Sequence, residues 1–178
     1  LSLQKNPLDW VRIAALVHQS EPDCWFLLVG DGPLRNDVEY KAEQFGIRGQ
    51  LVLTGIRQDV DRMMAAMDVF LLTSLWEGLP RVLPQAMAAS LPIVATSIDG
   101  NAEAVTDGVN GLVVPPRDQA ALESAVLSLI DSPERGKEFG RLSAEMVRER
   151  ADHETHMARM EQLCVELVER WRRPGGAR

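Results

Sequence analysis

The sequence has little cysteine and no long apolar run. Its 178 residues include two cysteines, Cys24 and Cys164, too few for a disulfide framework or a thiol-rich metal site. No apolar segment approaches the 18 residues of a membrane-spanning helix. The first residues lack the basic and apolar regions of a signal peptide. We therefore expect a cytoplasmic protein, with peripheral binding to the inner membrane face as an open alternative.

Positive charge is also scarce in most of the chain. The sequence has 19 Lys and Arg against 26 Asp and Glu, which gives a net charge of −7. Residues 1–133 hold 9 Lys and Arg against 17 Asp and Glu, a balance of −8. Proteins bind nucleic acid largely by neutralising phosphates with Lys and Arg, so this acidic body argues against a nucleic acid partner. The binding of a small anion at one local site is compatible with this net negative charge.

The hydrophobic pattern alternates between strands and helices over the first 130 residues. Short apolar runs predict strands at 25–29, 51–54, 69–72, 93–95 and 112–114. The first of these runs, Trp25 to Val29, is continuous, which predicts a strand buried on both faces. Helical patterns occupy 7–18, 34–45, 59–66, 79–89, about 102–106 and 119–130, and Asn6 and Asp118 are candidate N-caps. The alternation predicts an α/β fold with a doubly wound, Rossmann-like parallel sheet.

The two ends of the chain differ from this body. Leu1-Ser2-Leu3 resembles the end of a strand whose beginning is absent, so we expect the fold to start inside an element. After Pro133 the pattern predicts two helices, 133–151 and 153–172, and then a frayed tail at 173–178. We therefore divide the chain into a Rossmann-like domain at 1–150, truncated at its start, a C-terminal helix at 151–172 and the tail.

The stretch from Ser74 to Arg81 is the most unusual. It follows an apolar strand and enters a helix, whose free N–H groups can hold an anion. Gly78 lets a ligand approach the backbone, and Glu77 can accept from hydroxyl groups. Gln85 lies about two turns along the helix and can point a second polar group into the same cleft. A capping Glu and a surface Gln are the alternative, and the residues alone leave the two interpretations near even.

Three cations lie near predicted strand ends, and each is either solvated or a ligand contact: Lys5, Arg57 and Arg81. We prefer Arg57 over Arg81 as a contact because it directly follows Gly55-Ile56. The Gly30-x-Gly32 turn does not meet the dinucleotide-binding fingerprint, since Arg35 stands where the third glycine belongs. Motif searches find no serine elbow, no Walker-type loop and no metal site beyond a weak His153-x-x-His156 pair.

Several motifs, in order, resemble the C-terminal half of family 4 retaining glycosyltransferases. These enzymes have the GT-B fold, with two Rossmann-like domains. The resemblance runs from Lys5 to about Arg150. It is carried by Lys5-Asn6-Pro7-Leu8, Leu28-Val29-Gly30-Asp31-Gly32-Pro33, Thr73-Ser74-Leu75-Trp76-Glu77-Gly78-Leu79-Pro80, Gln85-Ala86-Met87-Ala88 and Asn110-Gly111-Leu112-Val113-Val114-Pro115-Pro116.

The resemblance implies a donor-binding domain for a UDP- or GDP-sugar that works without a metal or another cofactor. Lys5 takes the place of the lysine that holds the donor diphosphate. Glu77 matches the first Glu of the family's Glu-x7-Glu motif and would contact the donor sugar. The other implied contacts are Gly78, Leu79 and Pro80 in the loop, Ile56 and Arg57 beside the base, and Val82 and Leu83 along the nucleotide.

Gln85 is a departure from the family, because the second Glu of that motif is a glutamine here.

The family places the acceptor glycan or lipid on an N-terminal domain, so we expect the isolated chain to transfer no sugar. The helix at 151–172 would pack on that domain, and without it we expect self-association or disorder of the helix. The alternative function is a non-catalytic nucleotide-binding or interaction domain with a degenerate donor site. The Glu77-Gly78-Leu79-Pro80 loop argues against a third candidate, a sugar-nucleotide epimerase.

Overall fold

The computed structural model describes residues 1–78, 80–151 and 153–172. Strands and helices alternate along it, as predicted. The strands are β1 (Phe26–Val29), β2 (Leu51–Gly55), β3 (Phe70–Leu72), β4 (Ile93–Thr96) and β5 (Gly111–Val114). The helices are α1 (Pro7–Ser20), α2 (Arg35–Gln44), α3 (Val60–Ala65), α4 (Val82–Ala88), α5 (Asp99–Ala104), α6 (Gln119–Ile130), α7 (Pro133–Ala151) and α8 (His153–Arg172). The tail predicted at 173–178 lies outside the described residues.

All the paired strands are parallel, which confirms the predicted α/β class. They form two hydrogen-bonded groups, β1–β2 and β3–β4–β5. A cavity of about 1190 Å³ lies between β1 and β3. The prediction that the first strand is buried on both faces is wrong: every residue of β1 is half-buried, and the adjacent Trp25 is 70% exposed. The reason is that one edge of β1 borders the cavity instead of another strand.

Helices cover both faces of these strands. On one face α1 packs against α2 and α6, and on the other α4 packs against α7. Leu83 and Met87 of α4 form a core with Ile93 of β4, whereas Ile13 of α1 and Leu122 of α6 pack on the opposite face. Apolar side chains on both faces of the central strand β4, which is fully buried, therefore explain the doubly wound arrangement.

Local differences from the predicted elements occur at turns. Residues 3–5 form a single 3₁₀ turn, whereas Ser2 before it is extended (φ −113°, ψ 162°), so of the strand end predicted at Leu1-Ser2-Leu3 only Leu3 lies in another conformation. Helix α4 begins three residues later than predicted, because Gly78 and Pro80 lie in a loop that precedes it. Asp118 caps α6 by accepting the Ala121 N–H at 3.0 Å.

Asn6 does not cap α1 with its side chain. Its backbone is left-handed (φ 49°, ψ 53°), a conformation that Asn adopts more readily than most residues. Its Nδ2 donates instead to Asp9 Oδ2 at 2.7 Å. The residue therefore forms the corner between the 3₁₀ turn and α1, and the carbonyls of residues 4–6 accept hydrogen bonds from Thr73 and Leu75, which follow β3.

Helix α8 exposes its apolar residues. Met157, Leu163, Val168 and Trp171 are each about half or more exposed, and the described side chains of this helix are all exposed. No helix in the described part of the chain is long and apolar enough to cross a membrane.

Candidate functional site

A polar cleft of about 550 Å³ opens beyond the carboxyl end of β3. Ligands of open α/β sheets bind at this edge, outside the ends of the strands. The walls come from the segment before α1 and from the loop that joins β3 to α4. They consist of Gln4, Lys5, Glu77, Pro80, Arg81, Val82 and Gln85. The structure thus brings Lys5, Glu77 and Gln85, which the sequence singled out, to one cleft.

Backbone hydrogen bonds hold the Lys5 segment against the end of β3. The Leu75 N–H donates to the Gln4 carbonyl at 2.8 Å. The buried Thr73 hydroxyl lies 3.1 Å from the carbonyl oxygens of both Lys5 and Asn6, and its single proton is shared between them. These contacts fix the backbone on either side of Lys5 beside the end of β3. The Lys5 side chain therefore points in a defined direction, toward the cleft.

Glu77 is the most enclosed charge of the site, with a side chain that is only 6% exposed. Its carboxylate pairs with Lys5 Nζ and accepts from Ser74 Oγ at 2.8 Å and from Gln4 Nε2 at 3.2 Å. A buried carboxylate needs such partners to offset its lost hydration. Lys5 is 42% exposed and has three N–H donors, so it can bind an anion while it pairs with Glu77.

The last residue of β4 and residues of α5 support the loop that carries Glu77. The Thr96 hydroxyl donates to the Ser74 carbonyl at 2.6 Å, and Asn101 Nδ2 donates to the Thr96 carbonyl at 2.9 Å. Gly100 lies so close to the loop that a Cβ there would come 2.2 Å from the Gly78 oxygen. Sequence reasoning missed Gly100, which lies in the first turn of α5, because a single glycine gives no sign of which distant backbone it faces.

Arg57, which we preferred as a ligand contact, already has a partner. Its guanidinium donates to both oxygens of Asp59, at 2.8 and 2.7 Å. These hydrogen bonds raise the pKa of Arg57 and hold the pKa of Asp59 below its usual range, so the pair stays charged at neutral pH. The neighbouring Ile56 is 83% exposed and borders the larger cavity, to which Lys5 also contributes.

Arg81, which we ranked below Arg57, lies on the polar cleft. It is exposed, it lines the polar cleft, and it has no hydrogen bond or ion pair among the described residues. The signal that could have separated the two arginines is Asp59, two residues after Arg57. Arg81 has no acidic residue within three positions on either side.

Two other residues named from the sequence lie elsewhere. The Leu83 side chain is fully buried in the core beneath α4, so it does not reach the cleft. Leu79 lies outside the described residues. Pro80 and Val82 line the cleft, and Gly78 is exposed beside it.

Within the described part of the chain, no group of three or more His, Cys, Asp or Glu could hold a metal ion.

The chain is similar to known proteins over most of its length. Residues 2–132 match the family model described as "Glycosyl transferases group 1". The chain is 38% identical over 121 residues to the Vi polysaccharide biosynthesis protein VipC/TviE of Salmonella typhi, which covers 68% of this chain and 21% of that protein. It is 34% identical over 131 residues to an Escherichia coli UDP-Gal:alpha-D-GlcNAc-diphosphoundecaprenol alpha-1,3-galactosyltransferase, which covers 72% of this chain and 34% of that protein.

The fold is also similar to a solved structure, that of Anabaena Alr3699/HepE in complex with UDP. The match has a TM-score of 0.81 and 25% sequence identity, and it covers 95% of this chain and 46% of that chain. The present chain therefore spans a fifth to a third of the two curated relatives and under half of the solved one.

Proposed function

Because the chain belongs to the group 1 glycosyl transferases and has the fold of a GT-B C-terminal domain, we propose that it is the donor-binding part of a retaining glycosyltransferase. The enzyme moves a sugar from a UDP- or GDP-sugar to a hydroxyl of a glycan or lipid and keeps the configuration of the anomeric carbon. The observation that carries the proposal is the polar cleft, where Lys5 and Arg81 offer positive charge beside the Glu77 carboxylate.

The names of two similar proteins support a uridine diphosphate donor. One is a transferase of UDP-Gal with a diphosphoundecaprenol-linked acceptor, and the other was solved with UDP bound. We therefore take UDP as the first ligand to test, with GDP as the alternative. We also propose a sugar-bearing lipid or a glycan as the acceptor class.

The proposed chemistry needs positive charge where the diphosphate leaves. Transfer breaks the bond between the anomeric carbon and the diphosphate oxygen, and negative charge develops on that oxygen. Hydrogen-bond donors and positive charges placed near this oxygen in a partly enclosed cleft stabilise the transition state. Lys5 supplies a compact ammonium group, and the Arg81 guanidinium has the forked geometry that suits phosphate oxygens. In this proposal the two side chains take the part that a metal ion plays in other transferases.

Glu77 has two parts in this proposal. It fixes Lys5 through their ion pair, and its carboxylate accepts from a hydroxyl of the donor sugar. Three donors already contact the carboxylate, and its two oxygens offer about four acceptor positions, so one more hydrogen bond can form. Gln85, on the same wall of the cleft, accepts from the ribose through its amide oxygen.

In this proposal the acceptor binds to an N-terminal domain. The relatives are longer than the matched region and have enough additional chain for such a domain. We propose that the exposed apolar face of α8 contacts that domain. In this proposal the isolated chain binds the donor and transfers no sugar, since the acceptor site lies on the other domain.

The proposal is tested by calorimetric titration of the folded chain with UDP, GDP and uridine. We expect Arg81→Gln to weaken UDP binding by about 10- to 100-fold, because a hydrogen bond to a charged group contributes about 1.5–3 kcal/mol. Uridine has no phosphate, so its binding should stay unchanged in this variant. Arg57→Gln is the matched control and should bind UDP like the wild type, since its guanidinium is engaged by Asp59.

Two results would contradict this assignment in different ways. If the folded wild-type chain binds neither UDP nor GDP, it does not form a donor site, and the donor-binding proposal fails for this chain. If Arg57→Gln loses UDP affinity and Arg81→Gln does not, the donor site exists but the second cation is misassigned.

Gln85 favours the second candidate function, a non-catalytic nucleotide-binding domain with a degenerate site. A carboxylate accepts hydrogen bonds about twice as strong as those of an amide. For an intact site we expect Gln85→Glu to change UDP affinity by no more than about tenfold, measured beside the surface control Gln19→Glu. A gain well beyond that range would mean that the natural residue has given up a ribose contact, and would favour the degenerate site.

A further inference from the structure

The amide side chain of Gln4 forms part of the cleft wall, and the fold holds it by its nitrogen. Its Nε2 donates to the Trp76 carbonyl at 3.0 Å and to Glu77 Oε2 at 3.2 Å. An amide nitrogen has two protons, so these two contacts account for both of them. The backbone of Gln4 is fixed as well, since its carbonyl accepts from the Leu75 N–H at 2.8 Å. The side chain therefore has little freedom to turn.

The two acceptors around Nε2 decide which way the Gln4 amide faces. If the amide were turned over, its oxygen would lie against the Trp76 carbonyl oxygen and the Glu77 carboxylate, and both contacts would be repulsive. The amide oxygen, Oε1, consequently faces away from them and has no donor among the residues that the structure describes. The fold thus leaves a fixed hydrogen-bond acceptor on the wall of the cleft.

The Glu77 carboxylate has one open acceptor position, and its contacts show which oxygen carries it. Oε1 accepts from Lys5 Nζ and from Ser74 Oγ, which occupies both of its positions. Oε2 accepts only from Gln4 Nε2 in the described part of the chain, so its second position is open. Because Nε2 and Oε1 of Gln4 share one carbon atom, the two open acceptors, Gln4 Oε1 and Glu77 Oε2, lie close together.

Two neighbouring acceptors suit a ligand that carries two neighbouring O–H donors. The diphosphate of a nucleotide sugar is ionised at neutral pH and has no proton to donate, so it belongs beside the cations Lys5 and Arg81. A sugar ring carries hydroxyl groups on adjacent carbons, and each hydroxyl can donate one hydrogen bond. The pair of acceptors therefore matches two adjacent hydroxyls of a sugar.

We propose that Gln4 Oε1 accepts a hydrogen bond from a hydroxyl of the donor sugar, and that Gln4 and Glu77 together recognise two hydroxyls on adjacent carbons of that sugar. This inference rests on the proposed function and names the part of the donor that this wall of the cleft selects. A donor sugar that lacks one of the two hydroxyls leaves a polar acceptor unpaired, and is bound less tightly.

Calorimetric titration with UDP-glucose, UDP-galactose and their monodeoxy analogues tests the proposal. In the wild type, removal of either of two adjacent hydroxyls should weaken binding by about fivefold. In Gln4→Met, which has no acceptor at this position, the loss at one of the two hydroxyls should disappear. The loss at the other hydroxyl, which Glu77 contacts, should remain. Gln19→Met, exposed on α1, is the matched control and should keep both losses.

Gln4→Lys separates contact with the sugar from support of Glu77. The lysine ammonium group can still donate to the Trp76 carbonyl and to Glu77, but it offers no acceptor. This variant should therefore lose the same hydroxyl dependence as Gln4→Met. Its added positive charge acts on the diphosphate, so it changes the affinities for a sugar nucleotide and for its deoxy analogue alike and leaves their ratio unaffected.

Several results would overturn the assignment of Gln4. If Gln4→Lys keeps both losses, Gln4 acts only by holding Glu77. If Gln4→Met keeps both losses or removes both, Gln4 does not bind a hydroxyl beside the one that Glu77 binds. If the wild type binds UDP but loses no affinity for any deoxy analogue, the sugar does not reach this wall, and the donor-binding proposal still stands. A folded wild type that binds neither UDP nor GDP would instead overturn the proposed function, and this inference with it.

Discussion

Lys5→Met is expected to abolish most of the affinity for UDP, with a loss of about 100-fold. Hydrogen bonds to the backbone of residues 5 and 6 place the Lys5 side chain at the cleft. A methionine side chain has a similar length, but it is apolar and cannot replace the positive charge. The variant should also lose stability, by about 2 kcal/mol, because Glu77 would be left enclosed without its cation. Calorimetric titration with UDP and urea unfolding followed by circular dichroism measure the two effects.

The double variant Lys5→Met with Glu77→Gln separates the two roles. The neutral amide no longer needs a cation, so most of the lost stability should return while UDP affinity stays low. Lys41→Met, on the distant surface of α2, is the control for removing a lysine charge, and it should bind UDP like the wild type. If the double variant recovers UDP affinity along with stability, Lys5 acts only through the fold and does not contact the diphosphate.

Gly140→Ala is expected to destabilise the fold by about 3 kcal/mol. Gly140 lies on α7 against the turn that follows α4, and a Cβ at this position would come 1.9 Å from the Ser90 oxygen. The turn that carries this oxygen is held by two hydrogen bonds, from the Ser90 N–H to the Met87 carbonyl at 3.0 Å and from the Leu91 N–H to the Ala86 carbonyl at 3.1 Å, so the oxygen cannot easily move aside. The two elements would have to separate, and urea unfolding would show the change as a lower midpoint.

Gly136→Ala is the matched control for that substitution. It lies one turn earlier on the same helix, and a Cβ there would meet Pro92 at 3.5 Å, an ordinary contact. Alanine is favoured over glycine inside a helix by about 1 kcal/mol, so this variant should be as stable as the wild type or more stable. Equal destabilisation by both substitutions would mean that general crowding along α7, rather than the approach to Ser90, determines the effect.

The site was predictable where its residues come from one continuous stretch. Glu77 and Gln85 lie on the loop and helix after β3, so the spacing alone placed them beside a strand end, and the structure puts both on the cleft. Which of Arg57 and Arg81 has an acidic partner was not predictable in the same way. It depended on side-chain pairing, and although Asp59 is near in sequence, only the observed geometry shows that both of its oxygens engage Arg57.

The amino-acid sequence by itself determined the alternation of strands and helices, the parallel α/β class and the loop that carries Glu77. Those features follow from periodicity, glycines and caps, which act over a few residues. The tertiary structure alone decided that Lys5 meets Glu77 across 72 positions, that Leu83 is buried beneath α4, and that β1 is half-buried beside a cavity. The physical reason is that burial and ion pairing depend on which distant segments pack together. No local sequence pattern specifies the order of the strands in a sheet.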